Sequence, residues 1–170
     1  MSLFQTERLS CRRLGSADLD ALLAVYSDPV AVRWVGDGRP LARARCEEWL
    51  EVTESNYDRL GYGMFALEDR AAGRVVGFAG LVHPGGQPDA EIKYAFLRSE
   101  WGRGLASEAV PALLAHGASR HGLRRVIATV APENLPSRRV LDKAGMTLVE
   151  QRRDGPSEIL VYEWLAPSPT

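Results

Sequence analysis

At 170 residues, the chain is long enough to bury one hydrophobic core and too short for two ordinary domains, so we expect a single domain over 1–170. Its 21 lysines and arginines nearly balance its 22 aspartates and glutamates, which gives no electrostatic reason to expect nucleic acid or a membrane as a partner. Two distant cysteines without metal or disulfide spacing, and no apolar run of membrane-spanning or signal-peptide type, lead us to expect a cytoplasmic location.

The N-terminal half predicts one strand, two helices and then a hairpin. Ser16 is a favoured helix N-cap, and Asp28-Pro29 is a stop signal after an apolar helical stripe. Turn-forming residues over 69–73 separate two apolar runs, which is typical of a hairpin. The predicted elements are a strand over 6–14, helices over 17–27 and 41–60, and strands over 62–68 and 75–82.

The C-terminal half alternates strands with helices and closes in a second hairpin. With the earlier hairpin, the central strand should complete an antiparallel meander, and the strand after the central helix should join in parallel. The ends, 1–5 and 166–170, are expected to be flexible. The predicted elements are a central strand over 90–97, a helix from 105, a strand over 126–130, a helix after Asn134, and strands over 146–151 and 159–164.

A glycine-rich turn over 101–106 connects the central strand to an amphipathic helix. Gly102 and Gly104 let the backbone bend and leave no side chain to hold a ligand away. The first amides of the helix lack partners within it and carry the positive end of its dipole, so the turn could hold a phosphate. A plain strand-to-helix connection is an equally good interpretation of this stretch by itself.

A second motif follows the strand over 126–130. Asn134 is a good N-cap, and Ser137 stands three residues later. Lys143, Gly145 and the apolar Met146 then mark the end of a short helix, with the glycine just past its last residue.

Together, the two motifs and the order of elements resemble the GNAT superfamily of N-acetyltransferases, over nearly the whole chain. The likeness is greatest to its branch of ribosomal-protein alanine acetyltransferases (RimJ/RimL-like). The resemblance implies an α/β fold, with a mostly antiparallel central sheet of six to seven strands, splayed at the central strand, and about four helices. It also implies acetyl-CoA as donor and a primary amine as acceptor.

The resemblance further assigns the donor site. The splayed central strand would pair with the pantetheine arm, and Asn134 would face that arm, although it could equally be a plain helix cap. Arg103 would add a charged contact to the pyrophosphate unless it is merely solvated. The residues implied are the strand positions Tyr94, Ala95 and Phe96 and the turn positions Trp101, Gly102, Arg103, Gly104, Leu105 and Ala106.

Two catalytic residues follow from the same resemblance. Glu91 would accept the amine proton through water, or else be a surface residue paired with an arginine. Many relatives carry a tyrosine general acid seven residues after the motif asparagine; here that residue is Leu141, so Ser137 takes the role. Trp34 is a candidate for acceptor contact, with a core aromatic as the alternative.

Some features depart from the family pattern or leave other classes open. Ser99 stands where a glutamine or arginine usually opens the turn, with Arg98 one place early, and Pro111 interrupts the central helix. A non-catalytic acyl-CoA-binding module remains a rival, and a dinucleotide-binding oxidoreductase a weaker one. No metal is expected, and a homodimer and the identity of the amine (protein N-terminus or small molecule) stay open.

Overall fold

The computed structural model describes residues 1–168 and shows one mixed sheet with four α-helices. The strands are β1 (Ser2–Gln5), β2 (Leu9–Arg13), β3 (Met64–Asp69), β4 (Arg74–Val82), β5 (Ala90–Phe96), β6 (Arg125–Val130), β7 (Thr147–Asp154) and β8 (Ser157–Leu165). The helices are α1 (Leu19–Tyr26), α2 (Arg43–Leu60), α3 (Leu105–His121) and α4 (Leu135–Lys143).

The sheet confirms the predicted topology. Its strands lie in the order β1-β2-β3-β4-β5-β6-β8-β7, and β5–β6 is the parallel pair. The meander β3-β4-β5 and the closing hairpin β7–β8 are antiparallel. α3 continues through Pro111 as one helix.

The sheet has eight strands where six to seven were expected, because the N-terminal residues form a strand of their own. Residues 1–5, expected to be flexible, include a strand in which Phe4 and Gln5 pair with Cys11 and Ser10. The backbone reverses at Thr6, whose hydroxyl donates to Glu108 on α3 at 2.5 Å. The strand predicted over 6–14 is therefore a turn followed by β2.

The two residues that follow the end of β8 also have hydrogen bonds to the rest of the protein. The Ala166 amide donates to the Arg124 carbonyl at 2.9 Å, and the Arg124 guanidinium donates to the Pro167 carbonyl at 2.8 Å. Of the residues 166–170 that were expected to be flexible, Ala166 and Pro167 therefore have hydrogen bonds to Arg124, and 169–170 lie outside the described residues.

Two hydrophobic clusters cover the two faces of the sheet. The larger packs under α3 and α4, and the smaller packs under α1 and the first turns of α2. Because successive strand residues point to opposite faces, Ile92 and Phe96 of β5 enter the larger cluster and Ala95 enters the smaller one. The middle of β5 therefore separates two differently built sides of the molecule.

β5 and β6 part soon after they meet. Their parallel register consists of Ala90 opposite Val126 and Glu91 opposite Ile127. From Ile92 to Phe96, the β6-facing edge of β5 has no strand partner within the described residues, while the other edge pairs with β4 through Phe96. The splay predicted at the central strand is therefore present, and it leaves backbone groups that a ligand could pair with.

Across residues 1–168, the helices are too short or too polar to pass through a lipid bilayer.

Candidate active site

A cleft opens where β5 and β6 part and reaches both faces of the sheet. Its volume is about 2580 Å³, well above the roughly 300–1,000 Å³ of a typical small-molecule pocket, so it can hold a large ligand together with a second one. Every predicted site residue except Arg103 lines it. These are Trp34, Glu91, Tyr94, Ala95, Phe96, Trp101, Gly102, Gly104, Leu105, Ala106, Asn134 and Ser137.

The glycine-rich turn has the backbone that its sequence predicts. Gly102 has φ +81° and Gly104 has φ +74°, a region that other L-residues rarely adopt. Gly104 is the N-cap of α3, and the first intrahelical bond is from the Glu108 amide to the Gly104 carbonyl. The amides of 105–107 precede that bond and border the cleft, where they can meet an anion.

The Arg103 side chain does not line the cleft, and its ion pairs hold the turn to the rest of the protein. Its guanidinium donates to Asp69 at 3.1 Å and to Glu100, whose side chain is 5% exposed. The Arg103 carbonyl accepts from Arg8 at 2.6 Å, and Arg8 is itself bound to Glu108. Arg103 therefore fixes the shape of the turn from behind.

The turn is also tied to the end of β5. The Trp101 indole donates to the Phe96 carbonyl at 3.1 Å and stays 47% exposed at the cleft. Arg98, in the short 3₁₀ turn before it, pairs with Asp28 at 3.0 Å. The arginine that precedes the unusual Ser99 is therefore held in an ion pair with Asp28.

Asn134 and Ser137 meet at the start of α4. The Asn134 carbonyl oxygen accepts from the Ser137 amide at 3.3 Å, which confirms the predicted N-cap. The Ser137 hydroxyl lies 2.5 Å from the Tyr94 hydroxyl of β5 in a hydrogen bond. Burial raises the pKa of Tyr94 to about 12, against the opposing effect of the Ser137 hydrogen bond, so the phenol stays protonated at neutral pH.

Leu141, at the family's tyrosine position, belongs to the core. It is 1% exposed in the larger cluster, beside Met146 and Tyr162. A phenol there would have to be buried in apolar surroundings.

Glu91 is buried in the cleft wall and makes three polar contacts. The carboxylate, 4% exposed, accepts from the Thr129 hydroxyl at 2.8 Å and from the Gln87 amide at 3.4 Å. The Lys93 ammonium lies 2.9 Å from the same carboxylate, two residues along on the same face of β5. The alternative of a surface residue paired with arginine is therefore wrong, although an ion pair with lysine is present.

Glu91 and Ser137 lie on opposite faces of the sheet. Strand alternation places Glu91 with Ala95, toward the smaller cluster, and Tyr94 with the larger cluster that α4 covers. The splay between β5 and β6 is the opening between these faces. A group acted on by both residues would have to lie in that opening.

Trp34 is part of the cleft wall rather than the core. Its side chain is 44% exposed in the connection between α1 and α2, and the Arg33 guanidinium lies 4.8 Å from its ring centroid. The alternative of a core aromatic is wrong.

Four contacts of the predicted site residues were not predicted from the sequence: those made by the Tyr94 side chain, Lys93, Thr129 and Gln87. Strand alternation places Lys93 beside Glu91, so that pair was available from the spacing. The Tyr94–Ser137 and Glu91–Thr129 contacts join residues 43 and 38 positions apart, and they depend on how the strands and helix assemble.

The titratable residues outside the cleft show no metal-binding arrangement. Within residues 1–168, no group of three or more His, Cys, Asp or Glu side chains is placed to share an ion. Cys11 and Cys46 are buried free thiols, and burial raises the pKa of Cys11 to about 12.

Residues 8–147 match the family described as acetyltransferase (GNAT) domain. The chain therefore belongs to the GNAT acetyltransferase family, as the motifs predicted, and not to a family of dinucleotide-binding oxidoreductases.

Relatives and solved structures agree with that assignment. The uncharacterized N-acetyltransferase p20 of Bacillus licheniformis is 29% identical over 145 residues, which cover 84% of this chain and 80% of p20. An acetyltransferase from Agrobacterium tumefaciens is 27% identical with a TM-score of 0.81, covering 96% of this chain and 94% of that one. RimL, a ribosomal L7/L12 alpha-N-protein acetyltransferase solved with coenzyme A, shares the fold with a TM-score of 0.83 and 17% identity, over 97% and 98% of the two chains.

Proposed function

We propose that the protein is an acetyl-CoA-dependent N-acetyltransferase that transfers the acetyl group directly to a primary amine. The observation that carries the proposal is the parting of β5 from β6 beside the glycine-rich turn. In the proposal, unpaired strand backbone and unpaired helix amides hold one extended anionic ligand. The coenzyme A bound to RimL supports this choice of donor.

The donor is held mainly by backbone groups. Amides from Trp101 to Ala106 take the pyrophosphate, and the free edge of β5 over Tyr94, Ala95 and Phe96 pairs with the pantetheine arm. An amide on this edge also polarises the acetyl carbonyl and stabilises the negative charge that develops on its oxygen. The Asn134 side chain uses its oxygen as a helix cap, which leaves its NH₂ group for the pantetheine.

Glu91 receives the proton of the attacking amine. A lysine-type amine has a pKa of about 10.4 and an α-amino group about 8, so most of the acceptor is protonated at neutral pH and must lose a proton before or during attack. The Glu91 carboxylate accepts that proton through a water. The carboxylate is itself held in position by its contacts with Thr129 and Lys93.

Ser137 assists the leaving group from the other face. As the carbon–nitrogen bond forms, the carbonyl oxygen takes up negative charge. When the carbon–oxygen double bond forms again, the sulfur leaves with the electron pair of the carbon–sulfur bond. The Ser137 hydroxyl donates to that sulfur. A thiol with a pKa of about 8.5 is a tolerable leaving group, so a hydroxyl donor is sufficient.

The acceptor enters from the side of α1 and α2. Trp34 and the connection around it form one wall there, and the amine is either a protein N-terminus or a small molecule. The proposal places the enzyme in the cytoplasm and involves no metal, nucleic acid or membrane, and a homodimer is compatible with it.

The test is thiol release from acetyl-CoA with a panel of amines: N-terminal peptides, amino acids, polyamines and aminoglycosides. We expect release that depends on at least one amine. Tight acetyl-CoA binding without amine-dependent release would contradict the enzymatic proposal and favour an acyl-CoA-binding module. Absence of acetyl-CoA binding would contradict the assignment of the donor site.

A further inference from the structure

We propose that Tyr94 is a positioning residue that orients the Ser137 hydroxyl toward the leaving sulfur. The inference rests on the proposed function, and it assigns the Tyr94 side chain a role beyond the backbone pairing of β5. It is carried by the 2.5 Å contact between the two hydroxyls inside the cleft.

The contact is built from two different elements. Tyr94 stands near the middle of β5, on the face covered by α3 and α4, and its ring packs against the larger cluster. Ser137 lies in the first turn of α4, where the Asn134 cap fixes its backbone. Both residues are partly buried and line the cleft, so the hydrogen bond stands at the surface that a ligand would contact.

The direction of the hydrogen bond follows from what Ser137 must do. A serine hydroxyl has one proton, and to donate it to sulfur the hydroxyl must accept any other hydrogen bond. Tyr94 supplies that bond when its phenol donates to the Ser137 oxygen. Burial keeps the phenol protonated, because its pKa is raised to about 12. The serine proton is then turned away from Tyr94.

This arrangement provides a hydroxyl network where the family's tyrosine is missing. Position 141 is a buried leucine, so α4 offers no phenol of its own there. A phenol from β5 instead reaches the same helix one turn earlier, at Ser137. A hydrogen-bonded pair also polarises the outer hydroxyl, which strengthens its donation to a developing thiolate.

The acetyl group moves from sulfur to nitrogen by addition and elimination at the carbonyl carbon. A protonated amine first gives one proton to Glu91 through water, and Glu91 passes it on to solvent. The neutral nitrogen then bonds to the acetyl carbon and gives its second proton to Glu91 through water, and the carbon–sulfur bond breaks with both electrons going to sulfur. The thiolate accepts the hydrogen bond of Ser137 while Tyr94 keeps its own proton. The free thiol forms when the sulfur takes a proton from solvent.

The test is a double-mutant cycle with Tyr94→Phe and Ser137→Ala, read as kcat for thiol release with the most active amine. The Tyr94→Phe substitution keeps the ring packing and removes only the hydroxyl. We expect each single variant to lower kcat by about tenfold, the size of one hydrogen bond of about 1–1.5 kcal/mol. In the Ser137→Ala background, Tyr94→Phe should cost less than about twofold, because its effect passes through the serine.

The matched control is Tyr162→Phe, which removes a second tyrosine hydroxyl that contacts α4. The Tyr162 hydroxyl accepts from Arg138 at 3.2 Å, away from Ser137. We expect its kcat to stay within about twofold of wild type, and KM for acetyl-CoA to be unchanged in Tyr94→Phe. Thermal melts of all variants report folding separately from turnover.

Equal losses for Tyr94→Phe in both backgrounds would overturn the inference, since a merely structural role gives additive effects. Unchanged kcat in either single variant would overturn it too. Absence of amine-dependent turnover in the wild-type protein is a different result, because it contradicts the proposed function before any variant is compared.

Discussion

Replacing Glu91 by glutamine should remove the base and leave the donor site intact. Glutamine has nearly the same shape, and its carbonyl oxygen can still accept from Thr129. It cannot take a proton from the amine, and its NH₂ group cannot pair with the Lys93 ammonium. The substitution therefore removes the proton acceptor and one ion pair together.

The expected loss in kcat is about 100-fold. General bases contribute about 10²–10⁴-fold, and the lower end applies here because Glu91 acts through water and is paired with Lys93. This corresponds to about 2.7 kcal/mol of transition-state stabilisation. The Lys93 side chain is 42% exposed and can be solvated once its partner is neutral, so the loss of the ion pair should cost about 1 kcal/mol of folding stability or less.

The assay measures kcat and KM for both substrates by thiol release, together with the acetyl-CoA Kd by calorimetry. The Kd should be unchanged, because the donor contacts proposed for Asn134 and the glycine turn do not involve Glu91. Glu133→Gln is the matched control: it neutralises another carboxylate that lines the same cleft, and its kcat should match wild type. A Glu91→Gln enzyme with more than half of the wild-type kcat would refute the assignment of the base.

Three further predictions concern the turn, the cap and the histidines. Gly104→Ala should weaken acetyl-CoA binding by about tenfold in Kd. At φ +74° an L-residue is strained by about 1–2 kcal/mol, so the free turn relaxes to another conformation and binding must restore the strained one; an unchanged Kd would contradict the role of the turn. Asn134→Ala should lower the urea-unfolding free energy by about 1 kcal/mol, whereas Asn134→Asp should keep the cap and still raise the acetyl-CoA Kd; equal binding by the aspartate variant would leave Asn134 as a cap alone. Desolvation, with help from nearby charges, lowers the pKa values of His116 and His121 below about 6.5 in the folded state. The unfolded chain therefore binds more protons than the folded one below a pH of about 6.5. The contribution of the two histidines to the free energy of unfolding should be constant above that pH and should fall as the pH drops toward their folded pKa values. Replacing both histidines by glutamine should flatten this dependence, and an equal fall in that variant would contradict the prediction.

The order of the elements could be predicted because each depends on local sequence. The apolar run over 90–97, the helical stripe after Leu105 and the Asn134 cap are short-range patterns, and the elements that they predict are present as β5, α3 and α4. The prediction of a single first strand over 6–14 was wrong because β1 forms only through its pairing with β2. Residues 2–5 have little strand character by themselves and are ordered by pairing with β2.

Within the cleft, the backbone features were more predictable than the side-chain contacts. Positive φ at Gly102 and Gly104 follows from glycine itself, and every proposed donor residue except Arg103 lines the cleft. Arg103 instead pairs with the buried carboxylates of Asp69 and Glu100, and its nearness to Asp69, 34 positions earlier, depends on how β3 and the turn assemble. The Tyr94–Ser137 pair likewise depends on the distance between β5 and α4.

The measurement that tests the central claim most directly is mass spectrometry of the amine after reaction with acetyl-labelled acetyl-CoA. The account predicts one labelled acetyl group on the amine nitrogen for each free thiol released, and no labelled acetyl group on the protein itself. Label recovered only as free acetate, or held covalently on the enzyme, would contradict direct transfer to an amine.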